Sequence, residues 1–285
     1  MVIPVLVTLD EKYLPYLKVL LTSMNINDSK QSFDIYVLHS NLSEAELLGL
    51  VAFSSGLNSR IIPITASKGI FSDAKITYRY PKEMYYRLLA SEILPKELDK
   101  ILYLDPDILV INSLLPLWEM DMQGKLFAAS SHAWKTNVAN NFNHIRLGSH
   151  TDYYNSGVLV IDLKSCREKI VPKEIFDFVE KKEAVLLFPD QDILNALYGD
   201  EILPIKDVIW NYDARNYFTY LIRSLGENNM DWVMNNTSIL HFCGKEKPWD
   251  KSYRYRFGPL YKHYMAISKR IEDMGQAAEP ERNLY

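Results

Sequence analysis

The stretch Ile101-Leu102-Tyr103-Leu104-Asp105-Pro106-Asp107-Ile108-Leu109-Val110 decides the fold class of this chain. Ile101–Leu104 is apolar throughout, the pattern of a strand buried on both faces. Two carboxylates two residues apart follow at its carboxyl end, and in extended backbone such residues point the same way. Pro106 keeps Asp105 in the extended region. Like charges this close repel unless a cation lies between them. Oxygen ligands suit Mg²⁺ or Mn²⁺. An isolated Asp-Pro-Asp is also a common surface turn; the buried strand ahead of it favours metal.

Outward from this stretch, short apolar runs alternate with helix-length segments. Val5–Thr8, Phe33–Leu38 and Arg60–Ile64 have strand patterns, whereas Tyr13–Met24, Ser43–Phe53 and Met84–Ile93 have helical spacing. Ser43 followed by Glu46 predicts a capped helix start. Strands alternating with helices give βαβ units: an α/β protein with a mostly parallel sheet. Ligands bind such sheets beyond the carboxyl ends of the strands, which marks Asp10, Tyr13, Arg60–Thr65 and Asp105–Asp107. Further on, Phe127–Ser130, Val158–Asp162 and Ser238–Phe242 are predicted strands, and Pro172–Lys182 and Asp190–Tyr198 predicted helices. Asn211–Asn236 is long, polar and aromatic, and is expected to be a loop or lid.

Composition narrows the function classes. The 285 residues are 48% hydrophobic and 24% charged, with net charge −4, which excludes a disordered or collagen-like chain and a strongly basic nucleic-acid binder. Two cysteines cannot build a disulfide framework and fit a reducing compartment. No apolar window is long enough to span a bilayer, and the N-terminus lacks a basic leader, so a cytoplasmic location is expected.

Other constellations carry chemistry. His241-Phe242-Cys243-Gly244-Lys245-Glu246-Lys247-Pro248-Trp249 joins an imidazole to a glycine turn and lysines. That set can ligate Mn²⁺ and cradle a diphosphate, or be a core histidine with a solvated surface. Cys243 has no second cysteine at zinc spacing and is read as packing. Asp190 and Gln191 are either the acidic first turn of a helix or polar fingers for sugar hydroxyls. Asn155-Ser156-Gly157 is a turn or an amide donor. Asp10 and Tyr13 are a helix cap or a base-binding pair.

In this order the motifs Tyr86-Arg87-Leu88, Tyr103-Leu104-Asp105-Pro106-Asp107, Pro116-Leu117-Trp118, Tyr154-Asn155-Ser156-Gly157, Asp190-Gln191-Asp192 and His241 through Trp249 resemble the retaining glycosyltransferases of family 8. The nearest kind is the bacterial lipooligosaccharide galactosyl- and glucosyltransferases. The resemblance covers about residues 3–250. It implies a GT-A type, Rossmann-like mixed sheet with helices on both faces. Residues 1–250 would be the single catalytic domain. It further implies transfer of a hexose from a UDP-sugar to a glycan or lipid-linked hydroxyl.

Carried over by the resemblance, Asp105, Asp107 and His241 are expected to ligate Mn²⁺, with Mg²⁺ as the alternative ion. Thr8, Asp10, Tyr13 and Pro106 would contact the nucleoside, Pro106 without the amide N–H common at the ribose. Gly244 and Lys247 would clamp the diphosphate. Arg87, Asn155, Asp190 and Gln191 would hold the donor sugar, Gln191 beneath the anomeric carbon. No unambiguous carboxylate nucleophile stands at that position; front-face attack and double displacement both give retention. His132 replaces the acceptor-binding aspartate of transferases to lactose, so lactose is not implied. Residues 251–285 form a basic and aromatic segment, suited either to an anionic membrane face or to packing on the domain. Two other readings share these motifs: a self-glucosylating initiator of the glycogenin kind, and a non-catalytic UDP-sugar-binding protein.

Overall fold

The computed structural model describes residues 1–66, 68–71, 74, 76, 82–131 and 143–277. His132 lies outside them. The central sheet has seven strands in the order β3-β2-β1-β4-β7-β6-β8. These are β1 (Val2–Thr8), β2 (Ser32–His39), β3 (Ser59–Thr65), β4 (Lys100–Leu104), β6 (Phe127–Ala129), β7 (Val158–Asp162) and β8 (Ile202–Pro204). β3, β2, β1 and β4 run parallel, while β7 is antiparallel to both β4 and β6. A three-stranded sheet, β5 (Ile108–Val110), β10 (Ile239–His241) and β9 (Tyr212–Asp213), stands beside it.

Alternation along the central strands divides the core into two layers. Leu6, Ile101, Tyr103, Leu159 and Ile161 pack on one side. Val5, Val7, Leu102, Leu104, Val158 and Val160 pack on the other. Both faces are covered, so these strands are continuous apolar runs, as a sheet buried on both sides requires. The five longest described helices are α1 (Leu14–Asn27), α2 (Glu44–Ser54), α3 (Pro172–Lys182), α4 (Pro189–Tyr198) and α5 (Gly258–Ala277). The Ser43–Glu46 capping box is present at the start of α2.

Three sequence expectations change. Met84–Ile93 is not one helix: it breaks after Tyr86 and resumes at Ala90, and the turn between carries Arg87 into the interior. Asn211–Asn236 is not a loop; it holds β9 and the helices Tyr217–Arg223 and Met230–Asn236. Arg60 pairs with Asp34 at 2.5 Å on the surface, at the strand end opposite the ligand edge. After residue 250, Tyr253, Phe257, Tyr261 and Tyr264 are buried in a third cluster with Leu240 and Phe242. α5 packs on α1 and α2, with a 2.5 Å ion pair between Lys18 and Glu272.

Candidate active site

The site lies where the two sheets meet. β4 ends at Leu104, Asp105–Asp107 cross the gap, and the chain re-enters the second sheet as β5. The Asp105 N–H donates to the Gly157 carbonyl at 2.9 Å, which ties the crossing to β7. β10 runs antiparallel to β5 with His241 opposite Ile108, and the Phe242 N–H donates to the Asp107 carbonyl at 3.1 Å. This register sets an imidazole beside a carboxylate more than a hundred positions earlier in the chain. His241 Nε2 is 3.3 Å from Asp107 Oδ1 and 3.8 Å from Asp105 Oδ2. One donor atom from each of these residues falls within 4.8 Å of the others, a set that could hold a metal ion.

Gly157 is what lets β7 come so close. A Cβ there would lie 2.4 Å from His241 Cε1 and 2.5 Å from Asp105 Oδ2, inside any real contact distance. Only glycine leaves the trio intact at that position.

The surrounding charges are balanced tightly. Lys247 Nζ donates to Asp107 and to the Phe242 carbonyl, the latter at 3.1 Å. Arg87 Nη1 lies 3.2 Å from Asp105 Oδ1 and 3.1 Å from Asp190 Oδ2. It donates to the Ser156 carbonyl at 2.9 Å and stacks 4.5 Å over the Tyr103 ring. Burial works against the Asp107 charge, but His241 and Lys247 outweigh it and hold this carboxyl well below the usual range. Burial also works against charge on His241, yet Cys243 and Asp107 hold the imidazole well above its ordinary value. Burial pushes the Cys243 thiol up, and the neighbouring His241 works against that rise.

A run of amides links the trio to α4, and one backbone group fixes the direction of every member. The Gly157 N–H donates to Asn155 Oδ1 at 3.0 Å, so the other end of Asn155 is its NH₂. That NH₂ donates to Gln191 Oε1 at 3.2 Å. Asn155 Oδ1 also accepts from Asn211 Nδ2 at 2.9 Å. Asn211 therefore turns its carbonyl oxygen to His241 Nδ1 at 2.8 Å, and Nδ1 carries a hydrogen. In the neutral ring that a metal ligand requires, Nε2, the nitrogen facing the acids, would be the lone-pair end.

At the start of α4 two acids divide the work. Asp192, fully buried, pairs with Arg146 at 2.6 Å and accepts from the Leu187 and Phe188 N–H groups at 2.6 and 3.0 Å. It closes the turn, and Asp190 is left to accept from Ser156 Oγ at 2.9 Å and to face Arg87. Asp190 makes no helix cap; Phe188 occupies that place, without a side-chain cap bond.

On the opposite side, Asp10 caps a short turn through the Lys12 N–H at 3.0 Å. Thr8 Oγ1 meets the Tyr103 hydroxyl at 3.0 Å. Tyr13 lies edge-on to Trp249 at 6.1 Å, and Trp249 stacks flat on Tyr16 at 3.5 Å. The loop after β10 is thereby fastened to the start of α1.

Two adjoining cavities of about 570 and 300 Å³ share Arg87, Asp105, Asp107, Asp190 and Lys247 as a common wall. Thr8, Asp10, Tyr13 and Pro106 line the larger; Asn155, Gln191, His241 and Gly244 line the smaller. Every residue that the resemblance assigns to the metal, nucleoside, diphosphate or donor sugar thus borders these two adjoining cavities, whereas Arg60–Thr65 do not. Ser40, Asn41 and Glu83 border the larger as well and were missed. Asn211, fully buried behind His241, was also missed; no local pattern distinguishes it from any asparagine in a polar stretch.

A doubly covered sheet with one reversed central strand, and an acid pair with an imidazole at the carboxyl edge of its parallel strands, defines a GT-A type glycosyltransferase. The chain belongs to glycosyl transferase family 8, whose family model matches residues 4–252. It is 25% identical over 268 residues to general stress protein A of Bacillus subtilis, covering 91% of this chain and 92% of that protein. It is 25% identical over 264 residues to a lipopolysaccharide 1,2-glucosyltransferase of Escherichia coli, covering 90% and 74%. Among solved structures, the galactosyltransferase LgtC with donor and acceptor sugar analogues has the same fold, with TM-score 0.76 at 24% identity over 93% of this chain and 96% of that one. GlyE of Streptococcus pneumoniae has TM-score 0.70 at 19% identity, covering 96% and 63%.

Proposed function

We propose that this glycosyltransferase moves a hexose, glucose or galactose, from a UDP-sugar to a hydroxyl of a glycan or lipid-linked acceptor, with retention and with Mn²⁺ or Mg²⁺ bound by Asp105, Asp107 and His241. The observation that carries the reading is the meeting of those three side chains at the head of the cleft. Their oxygen and nitrogen donors suit a hard divalent cation. Such an ion would offset charge on the departing diphosphate.

The protein's own groups supply the rest. Lys247, which pairs with Asp107, would be freed toward the diphosphate if a bound cation took over that carboxylate. Together with the N–H groups of the Gly244 turn it meets the growing negative charge with donors already in place. Thr8, Asp10, Tyr13 and Pro106 receive the nucleoside in the larger cavity. Arg87 and Asp190 hold each other and present sugar-binding groups. Asn155 orients Gln191 beneath the reacting carbon. Asn211 is a positioning residue: it holds the His241 ring and keeps Nε2 turned to the acids.

A thermal-shift screen of UDP-sugars with and without Mn²⁺ tests the reading. Stabilisation by UDP-glucose or UDP-galactose that requires the ion supports it. Stabilisation by neither sugar nucleotide, with the ion present, overturns it. The acid–imidazole trio and Lys247 are all in place, which favours transfer over mere binding of the nucleotide.

A further inference from the structure

The chain that follows Asn211 leaves the cleft and ends on an exposed ridge. Asp213, fully buried, accepts from Arg215 Nε and Nη2 at 2.9 and 2.7 Å and from Asn216 Nδ2 at 2.7 Å. Arg215 lies against Gly244, where a Cβ would meet its Nη1 at 2.3 Å. The helix Tyr217–Arg223 starts from this anchor. Its inner face is packed: Tyr217 and Tyr220 are buried in the third cluster. Its outer side carries Phe218, Ile222 and, in the turn beyond, Leu225, at 63, 74 and 95% exposure. Phe218 and Ile222, four residues apart, share one face of the helix, and Leu225 follows just beyond its C-terminal end.

Leu225 has φ 52°, a left-handed conformation that side chains other than those of Gly, Asn and Asp rarely adopt. Gly226 follows at φ 93°. A leucine held in that conformation with nearly all its surface in water is not explained by packing. Contiguous exposed apolar side chains of this kind mark an interaction surface.

The surroundings indicate what the surface meets. The Arg256 guanidinium stacks 4.5 Å over Tyr217 and 5.2 Å over Phe218. Arg223, adjoining Ile222, is 41% exposed, with Nη1 4.0 Å from Asp207 Oδ2. In segments 215–227 and 245–256 the exposed cations are Arg223, Lys245, Lys251, Arg254 and Arg256, against the exposed acids Glu227, Glu246 and Asp250, in a chain of net charge −4. The apolar surface consists of three side chains, whereas a stable protein interface buries about 800 Å² on each partner. A narrow apolar ridge flanked by cations suits the interface of an anionic bilayer.

We propose that Phe218, Ile222 and Leu225 insert into the headgroup region of an anionic bilayer, with Arg223 and Arg256 on the lipid phosphates. The seven helical residues Tyr217–Arg223 span about 10 Å between the Arg215 anchor and the turn that carries Leu225. The ridge would then hold the mouth of the cleft near the headgroups, where a lipid-linked acceptor presents its sugars. That last link rests on the transfer reading; the membrane contact does not. The rings of residues 253–264 that are already buried in the protein core cannot serve this role, so the contact shifts from the C-terminal segment to this helix.

Co-sedimentation of the full chain with phosphatidylcholine vesicles, with and without phosphatidylglycerol, tests it. The wild type should bind the anionic vesicles, less so in high salt. Phe218→Ser with Leu225→Ser should weaken binding about tenfold or more. Leu225→Gly relieves the positive φ and should not destabilise the fold, yet it should still weaken binding. Arg223→Gln with Arg256→Gln should remove the preference for anionic lipid. No vesicle binding by the wild type, or undiminished binding by the ridge variants, overturns the proposal. So does loss of binding on Lys262→Gln with Lys269→Gln while the ridge variants bind normally. The UDP and Mn²⁺ thermal shift should be the same in all of these variants, which separates failure of this proposal from failure of the transfer reading.

Discussion

Replacing Asn211 separates a role in holding the metal ligand from a role in packing. In Asn211→Ala the His241 Nδ1–H loses its acceptor at 2.8 Å, and the ring is buried. Asn155 Oδ1 keeps the Gly157 N–H at 3.0 Å, so one buried donor is orphaned, not two groups. An unsatisfied buried donor costs about 1–3 kcal/mol. Loss of the group that orients a ligating histidine typically lowers metal affinity about 10- to 100-fold, which is roughly 1.4–2.8 kcal/mol. Asn211→Asp separates the two ends of the amide. Its carboxylate still accepts from Nδ1, so Mn²⁺ affinity should stay within about threefold of the wild type. It offers no donor to Asn155, however, and sets two oxygens face to face where the structure has a 2.9 Å bond. Asn155 must then turn, and Gln191 loses its fixed orientation. The expected pattern is weak Mn²⁺ binding in the alanine variant, and retained Mn²⁺ binding with lowered kcat in the aspartate variant. Calorimetric titration of Mn²⁺ in the presence of UDP, alongside UDP release at saturating donor, reads both. An alanine variant that is less stable but binds Mn²⁺ within twofold of the wild type would refute the positioning role.

Other substitutions probe different parts of the site. Gly157→Ala forces a methyl into His241 and Asp105; it should lower Mn²⁺ affinity about 10- to 100-fold and destabilise by about 1–3 kcal/mol, read by calorimetry and thermal melting. Asp107→Ala should abolish metal-dependent turnover; transfer near the wild-type rate with Mn²⁺ would remove this carboxylate from the ligand set. Gln191→Ala should leave binding of UDP with Mn²⁺ nearly unchanged and lower transfer about 10²- to 10³-fold. The reverse pattern in paired calorimetric and rate measurements would place Gln191 away from the reacting carbon.

Much of this architecture is legible in the sequence because burial on both faces leaves a strong signature. β1, β2 and β4 are apolar runs of the right length, and the Ser43–Glu46 box announces the start of α2. The acid pair is legible for the same reason, since it ends a buried strand. The second sheet is not. β5, β10 and β9 have three, three and two residues, too short for any periodicity. Their pairing joins Ile108 to His241 across nearly half of the chain. Resemblance, not pattern, brought His241 to Asp107. The broken helix at Arg87 has a tertiary cause: the acids and the Ser156 carbonyl draw the guanidinium inward, and helical spacing carries no trace of that pull. Asn211 and Gly157 work through a single bond or a single missing methyl. Their roles emerge only when three separate segments are brought together.

The most direct test is pulsed electron paramagnetic resonance of Mn²⁺ bound to the chain with UDP. Modulation from one imidazole ¹⁴N should be present in the wild type and absent in His241→Ala. A tightly bound Mn²⁺ whose spectrum carries no nitrogen coupling, or keeps that coupling in His241→Ala, would contradict an acid pair and His241 sharing one ion.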